Sequence, residues 1–171
     1  MNVSTGAVWT LCLLMAVGVS VGAGGAESTA VPKAMAFEME RASGGKVRLA
    51  EFSGRVVLVN VWASWCDQCQ AEYPQLAALK SELGPKGLEV VAVNVDTDRR
   101  KAHAFVAARP STMIVTLDPR GRLLQLFGAA AVPASFVLDR AGRVRFRHLG
   151  YTGETLIAYR REITELLAEP R

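Results

Sequence analysis

Two runs of consecutive apolar residues dominate the hydrophobic pattern of this chain. Residues 55–62 and 88–95 are apolar almost throughout. Because a strand that is buried on both faces has no polar side, we predict a central strand in each run. Residues 67–83, between the two runs, have helical spacing and end at a Gly-Pro-Lys-Gly turn. We predict a helix there, kinked by Pro74.

Shorter elements account for the rest of the pattern. Two short strands, residues 35–41 and 46–49, flank a Ser-Gly-Gly turn and predict an N-terminal hairpin. The later pattern predicts a capped helix (96–108), a short strand (113–117), a short helix (120–127), a hairpin (135–148) and a closing amphipathic helix (153–168). Strands that alternate with helices before a terminal hairpin predict an α/β fold with a mixed central sheet flanked by helices.

The first 26 residues differ in composition from the rest of the chain. They contain no charged side chain, and an apolar stretch at residues 8–21 leads into small residues. This pattern predicts a signal peptide, although no Lys or Arg precedes Lys33. Alternatively, residues 6–26 stay uncut as a membrane tether. Either way, we expect residues 33–169 to form one domain outside the cytoplasm, in the periplasm.

The formal net charge of +4 belongs to this domain, and its densest part runs from Arg143 to His148. Alternation places three arginines on one face of a strand and Val144 and Phe146 on the other. We interpret this as a half-buried strand with a solvated outer face. A docking surface for an acidic partner or lipid headgroups is the alternative. We expect no nucleic-acid partner, because no aromatic residues are interleaved with the basic ones and the chain is expected to be exported.

The candidate chemistry lies in the segment Trp65-Cys66-Asp67-Gln68-Cys69, between a predicted strand and a predicted helix. A thiol at a helix N-terminus faces the positive end of the helix dipole, which stabilises its thiolate. The second thiol lies one turn further on, close enough to form a disulfide. The pair therefore predicts reversible thiol–disulfide exchange. The third cysteine, Cys12, lies in the export segment and leaves the pair without a further thiol.

Several motifs resemble the TlpA/ResA-like branch of the thioredoxin-fold oxidoreductases over residues 33–169. They are Gly54-Arg55-Val56-Val57-Leu58-Val59-Asn60, Trp62-Ala63-Ser64-Trp65-Cys66-x-x-Cys69-x-x-Glu72-x-Pro74 and Val132-Pro133-Ala134-Ser135-Phe136. The resemblance implies a thioredoxin fold with an added N-terminal β-hairpin. It also implies a cis bond at Val132–Pro133, in a loop beside the cysteines. The chain departs from the family pattern at Gln68, where a proline commonly precedes the second cysteine.

Chemistry and this resemblance together suggest a role for each site residue. Cys66 is expected to be the exposed attacking thiolate, and Cys69 the resolving thiol. Trp65 is expected to flank the sulfur on the side of substrate approach, with ordinary packing as the alternative. The loop at Val132 and Pro133 is expected to offer substrate backbone a partner, because proline has no N–H of its own.

Glu72 is the candidate acid/base for Cys69. It lies three residues after Cys69, on the same side of the predicted helix. Many thioredoxins carry a buried aspartate where this chain has Asn60, which cannot titrate. The alternative for Glu72 is a solvated glutamate favoured by the helix dipole. His103 and His148 are further candidates, and nothing in the sequence ties either to the cysteines.

The resulting hypothesis is a reductase of protein disulfides outside the cytoplasm. The resemblance implies client proteins such as cytochrome c apoproteins or copper centres, and a membrane thiol protein as electron donor. Asp67 favours the reductive direction, because its charge raises the pKa of the neighbouring Cys66 thiol. The alternatives are a disulfide oxidase, a copper-binding metallochaperone using Cys66, Cys69 and His148, and a non-catalytic module with a structural disulfide. The reductase hypothesis needs no cofactor and no metal.

Overall fold

The computed structural model of the protein describes Met1 and residues 34–170. The predicted signal peptide or tether, apart from Met1, and the predicted linker up to Lys33 lie outside these described residues. The division of the chain into residues 1–26 and a domain at 33–169 therefore stays a prediction. Among the described residues, no helix is both long and apolar enough to cross a membrane.

A seven-stranded mixed sheet forms the centre of the fold. The elements follow the chain as β1 (Glu38–Arg41), β2 (Lys46–Arg48), β3 (Val56–Trp62), α1 (Asp67–Leu83), β4 (Leu88–Asn94), α2 (Arg99–Ala107), β5 (Ile114–Leu117), α3 (Arg122–Leu126), β6 (Ala134–Leu138), β7 (Val144–Leu149) and α4 (Gly153–Ala168). The strand order in the sheet is β2-β1-β5-β4-β3-β6-β7. The predicted α/β architecture with a mixed sheet flanked by helices is confirmed. The N-terminal hairpin is confirmed as well, since β1 pairs antiparallel with β2 and joins the sheet through β5.

The two continuous apolar runs are the central strands. β3 and β4 pair in parallel, and all seven residues of each strand are buried. Alternate residues of β3 enter two separate cores: Leu58 and Trp62 pack under α1, α2 and α4, whereas Val57 and Val59 pack against α3 and the hairpin. Helices and strands on both faces explain why neither strand shows a polar side.

The boundaries of the two long helices agree with the prediction. Residue 66 caps α1, and Thr152 caps α4, with its hydroxyl accepting a hydrogen bond from the N–H of Thr155. Pro74 lies inside α1 as expected. The first strand is shorter than predicted, because β1 begins at Glu38. The predicted turn after β2 contains a short 3-10 helix at Leu49–Phe52.

The basic strand β7 alternates between half-buried and exposed residues, which confirms its interpretation as a half-buried strand. The two arginines of β7, and Arg143 just before it, are engaged within the molecule. Arg143 and Arg145 pair with Asp139, and Arg147 donates to the carbonyl of Phe127 at 2.7 Å. These bonds give the positive charges of the arginines partners within the same protein, which accounts for most of the charge of this segment.

Candidate active site

The loop between β3 and α1 places the first cysteine at the N-terminus of a helix. β3 ends at Trp62, and Cys66 is the N-cap residue of α1 with an extended backbone conformation. Its sulfur accepts a hydrogen bond from the N–H of Cys69 at 3.1 Å. An N-cap sulfur that faces free backbone N–H groups and the helix dipole is stabilised as a thiolate.

The two cysteines form a disulfide, with their Cα atoms 5.2 Å apart. In this form Cys66 is 9 % exposed and Cys69 only 1 % exposed. The expectation of an exposed Cys66 needs a correction, because most of its surface is covered in the disulfide form. The covering comes from the apolar core that includes Trp62 and Tyr73. Cys66 is nevertheless the more exposed residue of the pair.

A buried carboxylate holds the loop that precedes Cys66. Both oxygens of Asp96 lie within hydrogen-bond distance of the Ser64 N–H, at 3.1 and 3.2 Å, and Asn94 donates to Asp96 at 2.9 Å. On the other side of the same residue, the Gln70 side chain donates to the Ser64 carbonyl at 2.9 Å. These bonds fix the approach of the chain to the disulfide from two directions.

The Val132–Pro133 peptide bond is cis, as the resemblance implied. Val132 packs against the core that contains both cysteines. The Pro133 carbonyl accepts the Gly150 N–H at 2.8 Å, and a Cβ placed on Gly150 would lie 3.7 Å from the side-chain oxygen of Gln68. The proline loop therefore reaches the cysteine segment through Gly150, so the structure brings these predicted site residues together.

Trp65 is 65 % exposed beside Cys66. This exposure is incompatible with the alternative of ordinary core packing. Leu149, next to Gly150, is 73 % exposed. Two large apolar side chains therefore face solvent on segments that adjoin the disulfide and the proline loop.

Glu72 is fully buried rather than a solvated helix residue, since only 1 % of it is exposed. Its carboxylate accepts hydrogen bonds from three strand and helix partners. Tyr159 donates at 2.7 Å, the Asn60 amide at 3.0 Å and the Ser135 hydroxyl at 3.4 Å. The Asn60 amide also donates to Ser135 at 3.0 Å, so the four side chains form one network.

Burial is the main influence on the protonation of this carboxyl. It raises the pKa of Glu72 from 4.5 to about 6, against the three hydrogen bonds, which favour the ionised form. Burial and the neighbouring Glu72 charge also raise the pKa of Tyr159, so this hydroxyl stays protonated and acts as a donor. A carboxyl with a pKa of about 6 can accept or release a proton near neutral pH.

The two histidines occupy different places. His103 lies on the exposed side of α2. His148 lies on β7 directly opposite Ser135, hydrogen-bonds Glu162 at 2.8 Å and packs its ring against the edge of Tyr159. Within the described part of the chain, no group of three or more His, Cys, Asp or Glu side chains is arranged to hold a metal ion.

Three contributors to the site were missed from the sequence: Ser135, Tyr159 and Asp96. Alternation along β6 puts Ser135 on the same face as Val137, and helical spacing in α4 groups Tyr159 with Ile163. These patterns predict the face on which each residue lies. Nothing in the sequence indicates that the polar groups of these residues contact Glu72 or Ser64, because the three residues lie in distant segments of the chain.

Comparison with known proteins agrees with this geometry. The model of the AhpC/TSA family matches residues 31–147. The chain is 30% identical over 129 residues to the thiol-disulfide oxidoreductase ResA of Bacillus thuringiensis subsp. konkukian, covering 75% of each chain. It is 37% identical over 116 residues to the thiol:disulfide interchange protein HelX of Rhodobacter capsulatus, covering 67% of this chain and 62% of HelX.

A solved structure gives the same result for the fold. A Chlorobium tepidum protein assigned as the thiol:disulfide interchange protein DsbE superimposes with a TM-score of 0.74 and 33% sequence identity. The match covers 77% of this chain and 93% of that chain. The predicted thioredoxin fold is confirmed.

Proposed function

Since this chain belongs to the AhpC/TSA family and is a thiol–disulfide oxidoreductase of the ResA, HelX and DsbE type, we propose that it reduces disulfides of proteins outside the cytoplasm. The observation that carries the proposal is the asymmetry of the cysteine pair. Cys66 caps the helix and retains some exposure, whereas Cys69 is enclosed. One sulfur can therefore meet a large client, and the other can act only on the first.

The reaction starts from the dithiol form. The Cys66 thiolate attacks a sulfur of the client disulfide, forms a mixed disulfide and releases one client thiolate. Cys69 then loses its proton and attacks the Cys66 sulfur, which releases the second client thiolate and forms the Cys66–Cys69 disulfide. Two electrons pass from the protein to its client. A membrane thiol protein, as electron donor, returns the disulfide to the dithiol form.

Glu72 is the proton acceptor for Cys69 in this scheme. Cys69 is buried, so its thiol has little access to water as a base. Glu72 lies one turn along α1, is also buried, and has a pKa raised to about 6. A base with that pKa is largely ionised at pH 7 and still holds a transferred proton transiently.

The segments around the disulfide form the client site. Trp65 offers an exposed apolar surface, and the loop at Val132 and Pro133 is linked to the cysteine segment through Gly150. An extended client segment would lie along this loop, with its disulfide over Cys66. The client class, such as cytochrome c apoproteins or a cysteine-ligated copper centre, follows from the family resemblance.

The direction of electron flow is supported by Asp67, which is exposed and adjacent to Cys66. A negative charge beside a thiolate destabilises the reduced form and lowers the reduction potential. We expect a potential below about −200 mV, in the range of reducing proteins rather than near the about −120 mV of the oxidant DsbA. Equilibration of the purified protein with glutathione buffers measures this value. A potential near that of DsbA would identify an oxidase.

Trapping experiments test the two cysteine roles. Cys69→Ser should accumulate mixed disulfides with proteins of an extracytoplasmic extract, and the matched variant Cys66→Ser should not. Both variants remove the internal disulfide, so they differ only in the thiol that remains. Trapping by Cys66→Ser alone would reverse the roles.

Copper(I) titration of the reduced wild-type protein, beside insulin reduction by the same sample, tests the copper alternative. That alternative gains support if the protein binds copper tightly and leaves insulin intact.

Location outside the cytoplasm is supported by the uncharged, apolar N-terminal segment. A fusion of residues 1–35 to a reporter that is active only outside the cytoplasm should be active. A fusion that starts at residue 27 is the matched control and should be inactive. Membrane fractionation of the full chain then distinguishes a cleaved signal peptide from a tether at residues 6–26. An inactive first fusion would contradict the extracytoplasmic assignment.

A further inference from the structure

A row of polar side chains crosses the sheet on the face that carries the disulfide. Asn60 on β3 lies directly opposite Ser135 on β6, and Ser135 lies directly opposite His148 on β7. Side chains that are directly opposed across antiparallel strands lie side by side on one face. The row therefore runs from the strand beside the cysteines to a strand at the edge of the sheet.

Tyr159 covers this row from α4. Its hydroxyl donates to Glu72 at 2.7 Å, the shortest of the three hydrogen bonds to that carboxylate. The tyrosine is fully buried, and the ring of His148 meets it nearly perpendicularly, with 4.9 Å between the ring centroids. Glu162, one turn further along α4, holds the His148 ring at 2.8 Å. His148, itself held by Glu162, therefore packs against the tyrosine ring, and the tyrosine hydroxyl points at Glu72.

We propose that Tyr159 is a positioning residue for thiol–disulfide exchange, which holds the Glu72 carboxylate in its ionised, proton-accepting form, and that His148 acts through Tyr159. The proposal rests on the proposed role of Glu72 as the base for Cys69. It adds a residue from the last helix, far along the chain from the cysteine motif, whose contribution passes only through Glu72.

The surroundings of Glu72 limit what else could act on it. The side chains that hydrogen-bond to it are Asn60 from β3, Ser135 from β6 and Tyr159 from α4. Tyr151, in the segment before α4, is also influenced by the Glu72 charge. Neither tyrosine ionises between pH 5 and 8, because the pKa of each is raised. Behind Tyr159 lie His148 and Glu162, with Arg161 close to Glu162 at 3.6 Å. Loss of the Tyr159 hydroxyl therefore removes a donor from Glu72 without changing a charge.

The test uses the reduced full-length protein and the disulfide reagent DTNB in single-turnover reactions between pH 5 and 9. The first thionitrobenzoate is released when Cys66 attacks, and the second when Cys69 resolves the mixed disulfide. In the wild-type protein the rate of the second phase should rise with pH, with a midpoint near pH 6, the pKa of Glu72. Tyr159→Phe should move this midpoint upward by about one pH unit, because a hydrogen bond to a charged group is lost.

Two control variants separate positioning from packing. Tyr151→Phe removes another nearby hydroxyl that makes no hydrogen bond to Glu72, and it should leave the midpoint in place. In a Glu72→Gln background, Tyr159→Phe should have no further effect on the pH profile. If Tyr159→Phe lowers the melting temperature but leaves the wild-type midpoint, Tyr159 is only a packing residue and the proposal is wrong.

The outcomes also separate this proposal from the proposed function. If Glu72→Gln leaves the second phase unchanged across the pH range, the role of Glu72 as a base fails, whatever Tyr159 does. If Glu72→Gln abolishes the midpoint and Tyr159→Phe does not move it, the base remains and only the positioning role fails. His148→Ala should shift the midpoint in the same direction as Tyr159→Phe. The double variant should shift it no further than Tyr159→Phe alone, and an additive shift would show that His148 acts by another route.

Discussion

The buried Glu72 carboxyl should make the protein less stable as the pH rises. Its folded-state pKa is about 6, above the 4.5 of an unperturbed glutamate. Between these two values the folded state binds more protons than the unfolded state. The stabilisation from the bound proton is therefore complete below pH 4.5 and is lost as the pH rises through 6. Ionised Glu72 at pH 7.5 thus destabilises the fold relative to its protonated form.

Glu72→Gln removes this titration and nearly keeps the shape. A shift from 4.5 to about 6 corresponds to about 2 kcal/mol. The amide has one oxygen in place of two, so the variant loses about one hydrogen bond, which costs about 1 kcal/mol at every pH. We expect the variant to be about 1 kcal/mol less stable than wild type at pH 4 and about 1 kcal/mol more stable at pH 7.5.

Urea unfolding of the oxidised protein, followed by circular dichroism at pH 4 and pH 7.5, measures these differences. The change between the two pH values is the informative quantity, because the cost of the lost hydrogen bond cancels from it. Glu82→Gln, on the same helix, is the matched control. Glu82 is exposed and pairs with Arg160, which lowers the pKa of Glu82, so the control should lose stability at pH 7.5. A Glu72→Gln effect that is equal at both pH values would refute the raised pKa.

Three further predictions concern residues outside the acid/base network. Arg140→Ala should lower the free energy of unfolding by about 2 kcal/mol, because its guanidinium donates to three carbonyl groups at the end of α4 at 2.8 to 3.0 Å. Urea unfolding measures this loss, and the DTNB kinetics should not change. Asp96→Ala should lower the free energy of unfolding by about 1 to 3 kcal/mol and slow the first DTNB phase, because the Ser64 N–H loses its acceptor. An unaltered first phase would show that the loop before Cys66 does not need this hydrogen bond. Trp65→Ala should change stability by less than about 0.5 kcal/mol, because the side chain is 65 % exposed, and should raise KM for insulin while leaving the DTNB rates unchanged.

Local patterns determined most of the secondary structure and the position of the cysteine pair. The continuous apolar runs identified β3 and β4, helical spacing identified α1 and α4, and the Gly-Pro-Lys-Gly turn identified the end of α1. These features depend on neighbours a few residues apart, which can be read along the chain. For the same reason, a cysteine in the short loop between a buried strand and a helix could be assigned to the helix N-terminus from the sequence.

Only the tertiary structure decided the environment of Glu72. Helical spacing placed it on the side of Cys69 but left open whether it was solvated or buried. Its partners Asn60, Ser135 and Tyr159 are separated from it by 12, 63 and 87 residues. A pKa depends on how much water is excluded and which donors approach, and both depend on how β3, β6 and α4 pack around α1. The sequence by itself therefore determined where the thiols lie, whereas the folded chain determined that Glu72 is buried and that its pKa is raised to about 6.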